Sequence, residues 1–434
     1  MRGDEFLDKM ELVDPAYVEA ADAWPEKRKT PWIKWGVMAA CLCLALTGVL
    51  TVGRRSAPRP SEPVDLGPAA SEPTGSGPAG SGPTGSEPGA PEPGGWKPLT
   101  LPELNFGGMG FEGYLYHDIS ELDNKNPWSE DMGLRTLPVY RNGSYDPTGA
   151  GFAIGLSEAE MMERLEQAAS ALGLEVLSTE AHVNEFFRQV DGEMVSNTGP
   201  GRIDAHTATG DEIEVYADGQ IDYWIRDGGL ALPGEYHFTY HDTTDEEAES
   251  VLAYLTDAYS GLLGFAEPKA VSYGDYTIYG EFHRDYLVYD ASGDDVEDIL
   301  NYHFRSASFV PDSEGNLWLI RIHDALLSAE KLGDYPIITA AEAAERLLAG
   351  HYATSVSYAF PGEEYIGKVE LVYRTGRLDE IFLPYYRFYV PLPEEAGGSA
   401  SAAEHGLVTY GAYYVPAITD EYVAELPAYD GRFN

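Results

Sequence analysis

The chain has 434 residues, with 72 acidic and 28 basic side chains and a formal balance of −44. That length leaves room for two or three folded units, and the charge excludes a nucleic-acid-binding surface as the main function, because phosphate binding needs clustered Lys and Arg. A hydrophobic content of 44% excludes a wholly disordered chain, and the only two cysteines, Cys41 and Cys43, exclude a disulfide scaffold or a Cys-rich zinc site.

Residues 1–34 form a short charged head. Asp14 followed by Pro15 is a helix start. Phe6, Leu7 and Met10, then Tyr17, Val18 and Ala21, give two short apolar stripes, with Leu12 and Val13 between them. Helices this short are not stable alone. An apolar motif on such a head therefore points to a partner groove, with Phe6, Leu7, Met10, Leu12, Val13, Tyr17 and Val18 as the contacts.

Residues 35–52 read WGVMAACLCLALTGVLTV without a charge. Eighteen such residues at about 1.5 Å rise cover roughly 27 Å, enough for a slightly thin hydrocarbon core. A transmembrane helix is expected over 35–53, anchored by Trp32, Trp35, Leu42, Leu44, Leu46 and Leu50, the tryptophans at interfacial depth. Lys27, Arg28, Lys29 and Lys34 precede the run, and Arg54, Arg55 and Arg59 follow it. This slight bias, with the awkwardness of exporting the head, places the N-terminus inside and the C-terminal region outside the bacterial cell membrane. A cleaved signal peptide fits less well, because the charged head is long and no clear small-x-small site follows the run. Met38-Ala39-Ala40-Cys41 is only a partial lipobox, since Lys34 leaves too few apolar residues ahead of it.

This head, with its basic residues and Trp-flanked span, resembles clostridial single-pass proteins of the anti-sigma-factor-like type over about 55 residues. The resemblance implies that the cytoplasmic segment holds an extracytoplasmic-function sigma factor or other regulator. No His-x3-Cys-x2-Cys is present, which excludes the zinc-binding anti-sigma class.

Residues 54–95 are dominated by Pro, Gly, Ser and Glu, with near-repeats such as SEPTGSGPAGSGPTGSEPG, and nothing there can nucleate a core. Their composition predicts a disordered stalk, spanning about 35 Å as a coil or roughly 120 Å if proline stiffens it. Beyond residue 59 the chain holds 64 acids and 19 bases, one strongly acidic block.

Residues 96–150 read as an irregular entry segment. Three helices then start with the same local chemistry. Ser157-Glu158-Ala159-Glu160, Thr244-Asp245-Glu246-Glu247 and Thr339-Ala340-Ala341-Glu342 are capping boxes, each ahead of apolar residues at helical spacing. Leu156 and Met161 fit the staple positions of the first, and Gly173 and Gly350 supply stops. Each helix precedes strand-like sequence, which predicts three α+β modules over 151–235, 236–334 and 335–434, each a helix across a curled antiparallel sheet. In the first, Ile213, Val215, Ile221, Tyr223 and Ile225 alternate around Asp218-Gly219. A three-residue loop over 217–219 with a glycine bulge pairs Val215 with Ile221 and keeps one face apolar, whereas a two-residue turn does not. Asp312-Ser313-Glu314-Gly315 and Thr375-Gly376 give similar hairpin signals. Thirty tyrosines against fifteen phenylalanines suit half-buried strands whose hydroxyls stay wet, or, less simply, a stacking platform for wall sugars.

Motifs that carry chemistry are weak. Residues 108–113 match G-x-G-x-x-G, but the strand-like Tyr114-Leu115-Tyr116 follows where a dinucleotide site needs a helix. Residues 362–368 approach a P-loop, but Val369 replaces the metal-binding Ser or Thr, Glu363 and Glu364 repel phosphate, and a strand is expected next. His237 and His241 alternate with Tyr236, Phe238 and Tyr240, so the segment reads as a strand that holds the two about 13 Å apart, too far for one metal. The run Asp290, Asp294, Asp295, Glu297 and Asp298 reads as a solvated acidic face rather than a calcium site. No G-x-S-x-G or EF-hand pattern occurs, so no catalytic, cofactor or metal residue is assigned and the chain reads as a non-enzyme.

From Ile337-Ile338-Thr339 through Val369-Glu370-Leu371-Val372-Tyr373 to Leu383-Pro384-Tyr385-Tyr386-Arg387-Phe388, the last module is similar to the YycH/YycI and PepSY-like extracytoplasmic modules. That similarity implies a regulatory or binding module. Together these readings predict an α+β protein with one transmembrane helix and a stalk, acting as a membrane-anchored sensor or regulator. Its expected partners are a cytoplasmic sigma factor or other regulator, the membrane, and an extracytoplasmic ligand or cell-wall component, with no nucleic acid. The alternative is a surface-displayed ligand- or wall-binding protein with no signalling role.

Overall fold

A computed structural model describes residues 98–101, 115–116, 124–146, 154–190, 193–226, 228–276, 282–393 and 406–431. The head, span, stalk and glycine pattern at 108–113 lie outside them. The described part is α+β, with few helices on curled antiparallel sheets. Two strands come first, β1 (Leu115–Tyr116) and β2 (Thr136–Arg141), both inside the segment expected to be irregular. Helix α1 (Glu158–Leu172) leads into β3 (Val176–Val190), β4 (Glu193–Thr207), β5 (Glu212–Tyr216) and β6 (Ile221–Trp224). Helices α2 (Asp245–Ala258) and α3 (Ser260–Leu263) lead into β7 (Pro268–Tyr276) and β8 (Phe282–Asp290), then α4 (Asp295–Phe304), β9 (Arg305–Pro311) and β10 (Leu317–Asp324). The rest comprises β11 (Glu330–Pro336), α5 (Ala340–Leu348), β12 (Ala353–Thr354), β13 (Lys368–Tyr373), β14 (Ile381–Phe382), β15 (Pro384–Pro391) and β16 (Tyr410–Pro416).

All three capping boxes form. In each, the Ser or Thr hydroxyl accepts from the N3 backbone N–H while the N3 glutamate accepts from the cap N–H, at Ser157/Glu160, Thr244/Glu247 and Thr339/Glu342. Two of the four N–H groups that a helix start leaves unpaired are thus satisfied, which fixes where α1, α2 and α5 begin.

The largest sheet has eight strands in the order β3-β4-β5-β6-β10-β9-β8-β7. It crosses residue 235, so α1 with β3–β6 and α2 with β7–β10 contribute four strands each, and their last strands meet at the centre. Helices α1 and α2 cover one face: Met161, Leu165, Val251, Leu252 and Leu255 pack on Ile203, Ile213, Val215, Tyr223, Val288, Phe309 and Ile320. The β5–β6 loop takes the three-residue form, with Ile213 opposite Tyr223 and Val215 opposite Ile221. Gly219 is obligatory in that loop: its φ is +93°, and a Cβ there would lie 2.9 Å from the Asp324 carbonyl oxygen.

A second sheet, β1-β16-β15-β13 with β12 also on β16, is buried on both faces. Leu371, Phe388 and Val415 face α5 and α4, whereas Val372, Leu383, Tyr385 and Tyr414 face the layer that contains Val139 and Tyr335. That layer is a three-stranded sheet, β11-β2-β14. The tyrosines here depart from expectation. Tyr373, Tyr386 and Tyr413 are buried, and their hydroxyls donate to the carbonyl oxygens of Pro138, Ile338 and Tyr358 at 2.8–2.9 Å rather than staying wet. A sheet covered on both sides has no wet face, so each hydroxyl needs a protein acceptor.

Two other local readings change. The acidic run at 290–298 is not a merely solvated face but contains the start of helix α4. Its acids serve the backbone: Asp294 caps the Val296 and Glu297 N–H groups, Asp298 accepts from Gly293 N–H, and Asp290 accepts from Ala266 and Glu267 N–H. Residues 236–241 form an irregular segment that ends in a bend rather than a ladder strand. They are held at the sheet by Arg284 N–H to the Tyr240 carbonyl (2.8 Å) and Tyr286 hydroxyl to the Thr239 carbonyl (2.6 Å).

Phe304 of α4 packs against three rings, with centroid distances of 5.0 Å to Tyr373, 5.3 Å to Phe382 and 6.0 Å to Tyr140, and so joins the large sheet to the C-terminal layers. Phe304→Ala is expected to cost about 3–5 kcal/mol, and Thr244→Ala about 1 kcal/mol. Chemical unfolding of the full chain measures both, and equal costs would show that α4 is not a joint.

His303, on the same helix, is held neutral: burial, then Arg387, push its imidazole down to about 3, against the Leu371 backbone and Glu370. The unfolded chain takes up this proton near pH 6.5. Its contribution is therefore complete above about pH 6.5 and is lost as pH falls toward 3. Between pH 7 and 5 the stability of His303→Gln should decline less steeply than that of the parent, and parallel declines would contradict this.

Candidate functional site

A cleft of about 230 Å³ opens where α1 and α3 meet over the ends of β6 and β10. Arg164, Gln167, Ala168 and Ala171 lie on one stripe of α1 at helical spacing, and Gly261, Leu262 and Leu263 of α3 face them, with Phe265 just beyond. The floor is Ile221 of β6 and Ile322 of β10, which are register partners. His323, Asp324 and Arg305 form the rim, Arg305 and Asp324 being partners between β9 and β10.

The charges in the cleft are incompletely paired. Arg164 Nη2 donates to the Gly219 carbonyl at 3.3 Å, while its Nε is shut off from solvent and has no hydrogen-bond partner among the described residues. Arg305 Nε lies 3.2 Å from Asp324 Oδ2. Burial raises the Asp324 pKa despite Arg305 and Arg164, and burial lowers that of His323. With the imidazole neutral, two guanidinium groups face one carboxylate, a local positive excess in a chain of net charge −44. The described residues lining the cleft include no Ser, Thr, Cys or Lys nucleophile. The arrangement suits reversible capture of an anion better than covalent chemistry.

The opposite face of the large sheet carries a second polar cluster. Asp204, Glu214, Asp222 and Arg321 stand in one cross-strand row over β4, β5, β6 and β10. Three adjacent carboxylates would repel one another, but each is engaged. Arg321 grips Asp222 through Nε and Nη2 at 2.8 and 2.7 Å, and Gln220 Nε2 donates to the same carboxylate at 3.0 Å. Glu214 accepts from the Tyr216 hydroxyl and Trp224 Nε1. Asp204 takes Arg202 Nη2 at 2.8 Å and His182 Nε2 at 2.7 Å; Arg202 Nε is also 2.6 Å from Asp204 Oδ1, but poorly aligned for a hydrogen bond. Burial dominates at Asp222 and raises its pKa. Every carboxylate of the row is held by its own neighbours, with only Asp204 Oδ1 left as an ion-pair contact without a hydrogen bond among the described residues, which marks the row as structural.

The expected head contacts Phe6, Leu7, Met10, Leu12, Val13, Tyr17 and Val18, and the expected anchor residues Trp32, Trp35, Leu42, Leu44, Leu46 and Leu50, lie outside the described residues. Among the described residues, no helix is long and apolar enough to cross a membrane. His237 bonds Asp242 and His241 bonds the Phe282 carbonyl, so the two are engaged separately. In the P-loop-like stretch a short 3-10 turn, Glu363–Tyr365, precedes β13, and Lys368 Nζ pairs with Glu370 at 2.8 Å. Sequence reasoning missed Arg164 and Arg305. The available signal was their scarcity, since a base on an apolar-striped helix in so acidic a block needs a reason.

Breaking the buried pair at the sheet centre by Arg321→Met leaves Asp222 uncompensated and should cost about 3–5 kcal/mol, whereas Asp222→Leu/Arg321→Met should recover most of it. Urea unfolding of the three chains checks this, and a double variant as unstable as the single one contradicts it. Comparison with protein-family models, with curated proteins and with solved structures finds no match to this chain.

Proposed function

We propose that the chain is a single-pass, membrane-anchored sensor or regulator of the bacterial cell envelope, anti-sigma-factor-like and non-catalytic. Its head would engage a cytoplasmic sigma factor or other regulator, while the acidic body, including a YycH/YycI- or PepSY-like C-terminal module, would meet an extracytoplasmic ligand. The observation that carries this is the order of segments: the apolar motif at 5–21, the uncharged run at 35–52 between basic flanks, the Pro/Gly/Ser tract at 54–95, then the α+β body. One covalent chain would then present different chemistry on the two sides of a membrane, which is what passing a signal across it requires. Occupancy of the body would alter the availability of the head, by movement or by proteolysis near the span.

The cleft supports a second reading equally well, that of a surface-displayed binding protein with an inert head. The two differ in what residues 4–22 do. A tagged full chain should co-purify with a sigma factor or kinase from its native cell. Deletion of 4–22 should abolish that capture and change transcription of the regulated genes. Unchanged transcription on deletion, with ligand or wall binding intact, would establish the display reading instead.

A further inference from the structure

We infer that the α1–α3 cleft binds a small monocarboxylate with a short apolar body, its carboxylate between Arg164 and Arg305. This deepens the functional reading above, on which it rests only for its biological meaning, by naming the ligand class of the same body.

Charge sets the head group. Among the lining residues Arg164 and Arg305 face one carboxylate, Asp324, and burial favours the neutral form of His323. The lining itself therefore carries one positive charge in excess, although Asp290 beyond it also attracts Arg305. A single negative charge completes that balance, whereas the dianionic form of phosphate would meet the Asp324 carboxylate with a surplus. Arg164 is poised for the exchange at the end of its guanidinium, where Nη2 makes only a long 3.3 Å contact to the Gly219 carbonyl, while its Nε stays buried behind. A guanidinium fork presented to a carboxylate makes two parallel charge-assisted bonds. Arg305 is about half exposed and, among the described residues, is held by one 3.2 Å ion pair to Asp324 with Asp290 also attracting it, so its outer end can turn toward an incoming carboxylate.

Apolar surface sets the body. Ile221, Ile322 and Leu263 are buried in the floor and wall, and Leu262 and Phe265 are partly buried beside them. An inorganic anion would leave the part-exposed Leu262 and Phe265 against water, while an aryl or short alkyl chain would cover them. A volume of about 230 Å³ lies below the range usual for drug-sized ligands, which limits that body to a ring or a few methylenes.

The test titrates the purified full chain with benzoate, hexanoate, benzamide and inorganic phosphate by calorimetry. Benzoate or hexanoate is expected to bind, and benzamide, the neutral isostere of benzoate, to bind about tenfold more weakly or not at all. Arg164→Gln and Arg305→Gln should each weaken benzoate by about ten- to a hundredfold. Asp324→Asn removes the competing carboxylate and should tighten benzoate, a gain that misfolding cannot produce. Equal binding of benzoate and benzamide, tighter binding of phosphate, no binding of either carboxylate, or indifference to all three substitutions in chains with unchanged melting temperature would each overturn the proposal. Because the titration involves no cytoplasmic partner, its failure is distinct from a failure of the head to control transcription.

Discussion

The fold depends on the seam where β6 and β10 pair. Only four residue pairs are in register there, Trp224 with Leu319, Tyr223 with Ile320, Asp222 with Arg321 and Ile221 with Ile322. Each half of the eight-stranded sheet is complete up to its last strand, and these pairs turn two four-stranded halves into one sheet. On the helix-covered face the seam is apolar, with Tyr223 and Ile320 in the core. On the other face the bidentate Arg321–Asp222 pair sits among engaged polar groups. A buried ion pair contributes little net stability compared with an apolar pair of the same shape. Its effect here is on register: a one-residue slip would turn Asp222 or Arg321, on whichever strand moved, into the helix-covered core and that strand's isoleucines or Tyr223 out of it.

The C-terminal layers obey a different constraint. Their central sheet has apolar neighbours on both faces, so its strands read as near-continuous buried runs, with Tyr385 and Tyr386 adjacent in β15 and Tyr413 and Tyr414 adjacent in β16. Tyrosine at such positions must find an acceptor, and the structure supplies backbone carbonyls to Tyr373, Tyr386 and Tyr413 and the Glu370 carboxylate to Tyr389. Each bond to a carbonyl ties one sheet to a neighbouring loop or layer. Arg377 adds a link of the same kind, reaching Asp218 in the β5–β6 loop at 2.9 Å. The first half of the large sheet is thereby fastened to the C-terminal layers at its turn, while α4 fastens the second half through Phe304.

What could be read in advance follows from how local each signal is. Capping boxes and the Val215–Ile221 register are decided within a few residues, and both are present as the sequence implies. Helix α4 escaped notice because its cap is aspartate in a run of acids, where N-cap chemistry looks like a solvated surface. The joining of two four-stranded halves depends on β6 meeting β10, residues nearly a hundred positions apart, and nothing local encodes that contact. The same holds for the cleft. Arg164 and Arg305 come from different halves, and only the seam brings them to one opening.

That placement gives the cleft a mechanical meaning. One wall is α1, which belongs to the first half; the other is α3, which belongs to the second; the floor is one residue from each seam strand. A molecule bound there contacts both halves at once. Binding therefore stabilises the joined seam by an amount that rises with the logarithm of ligand concentration once that exceeds the dissociation constant. The effect is reciprocal: any strain that parts α1 from α3 must weaken binding by the same amount that binding resists the strain. A ligand touching only one half would stabilise that half and leave the seam unchanged, however tightly it bound. Among the sites described, the cleft is the one at which a small molecule could be sensed as a change in how the two halves of the sheet hold together.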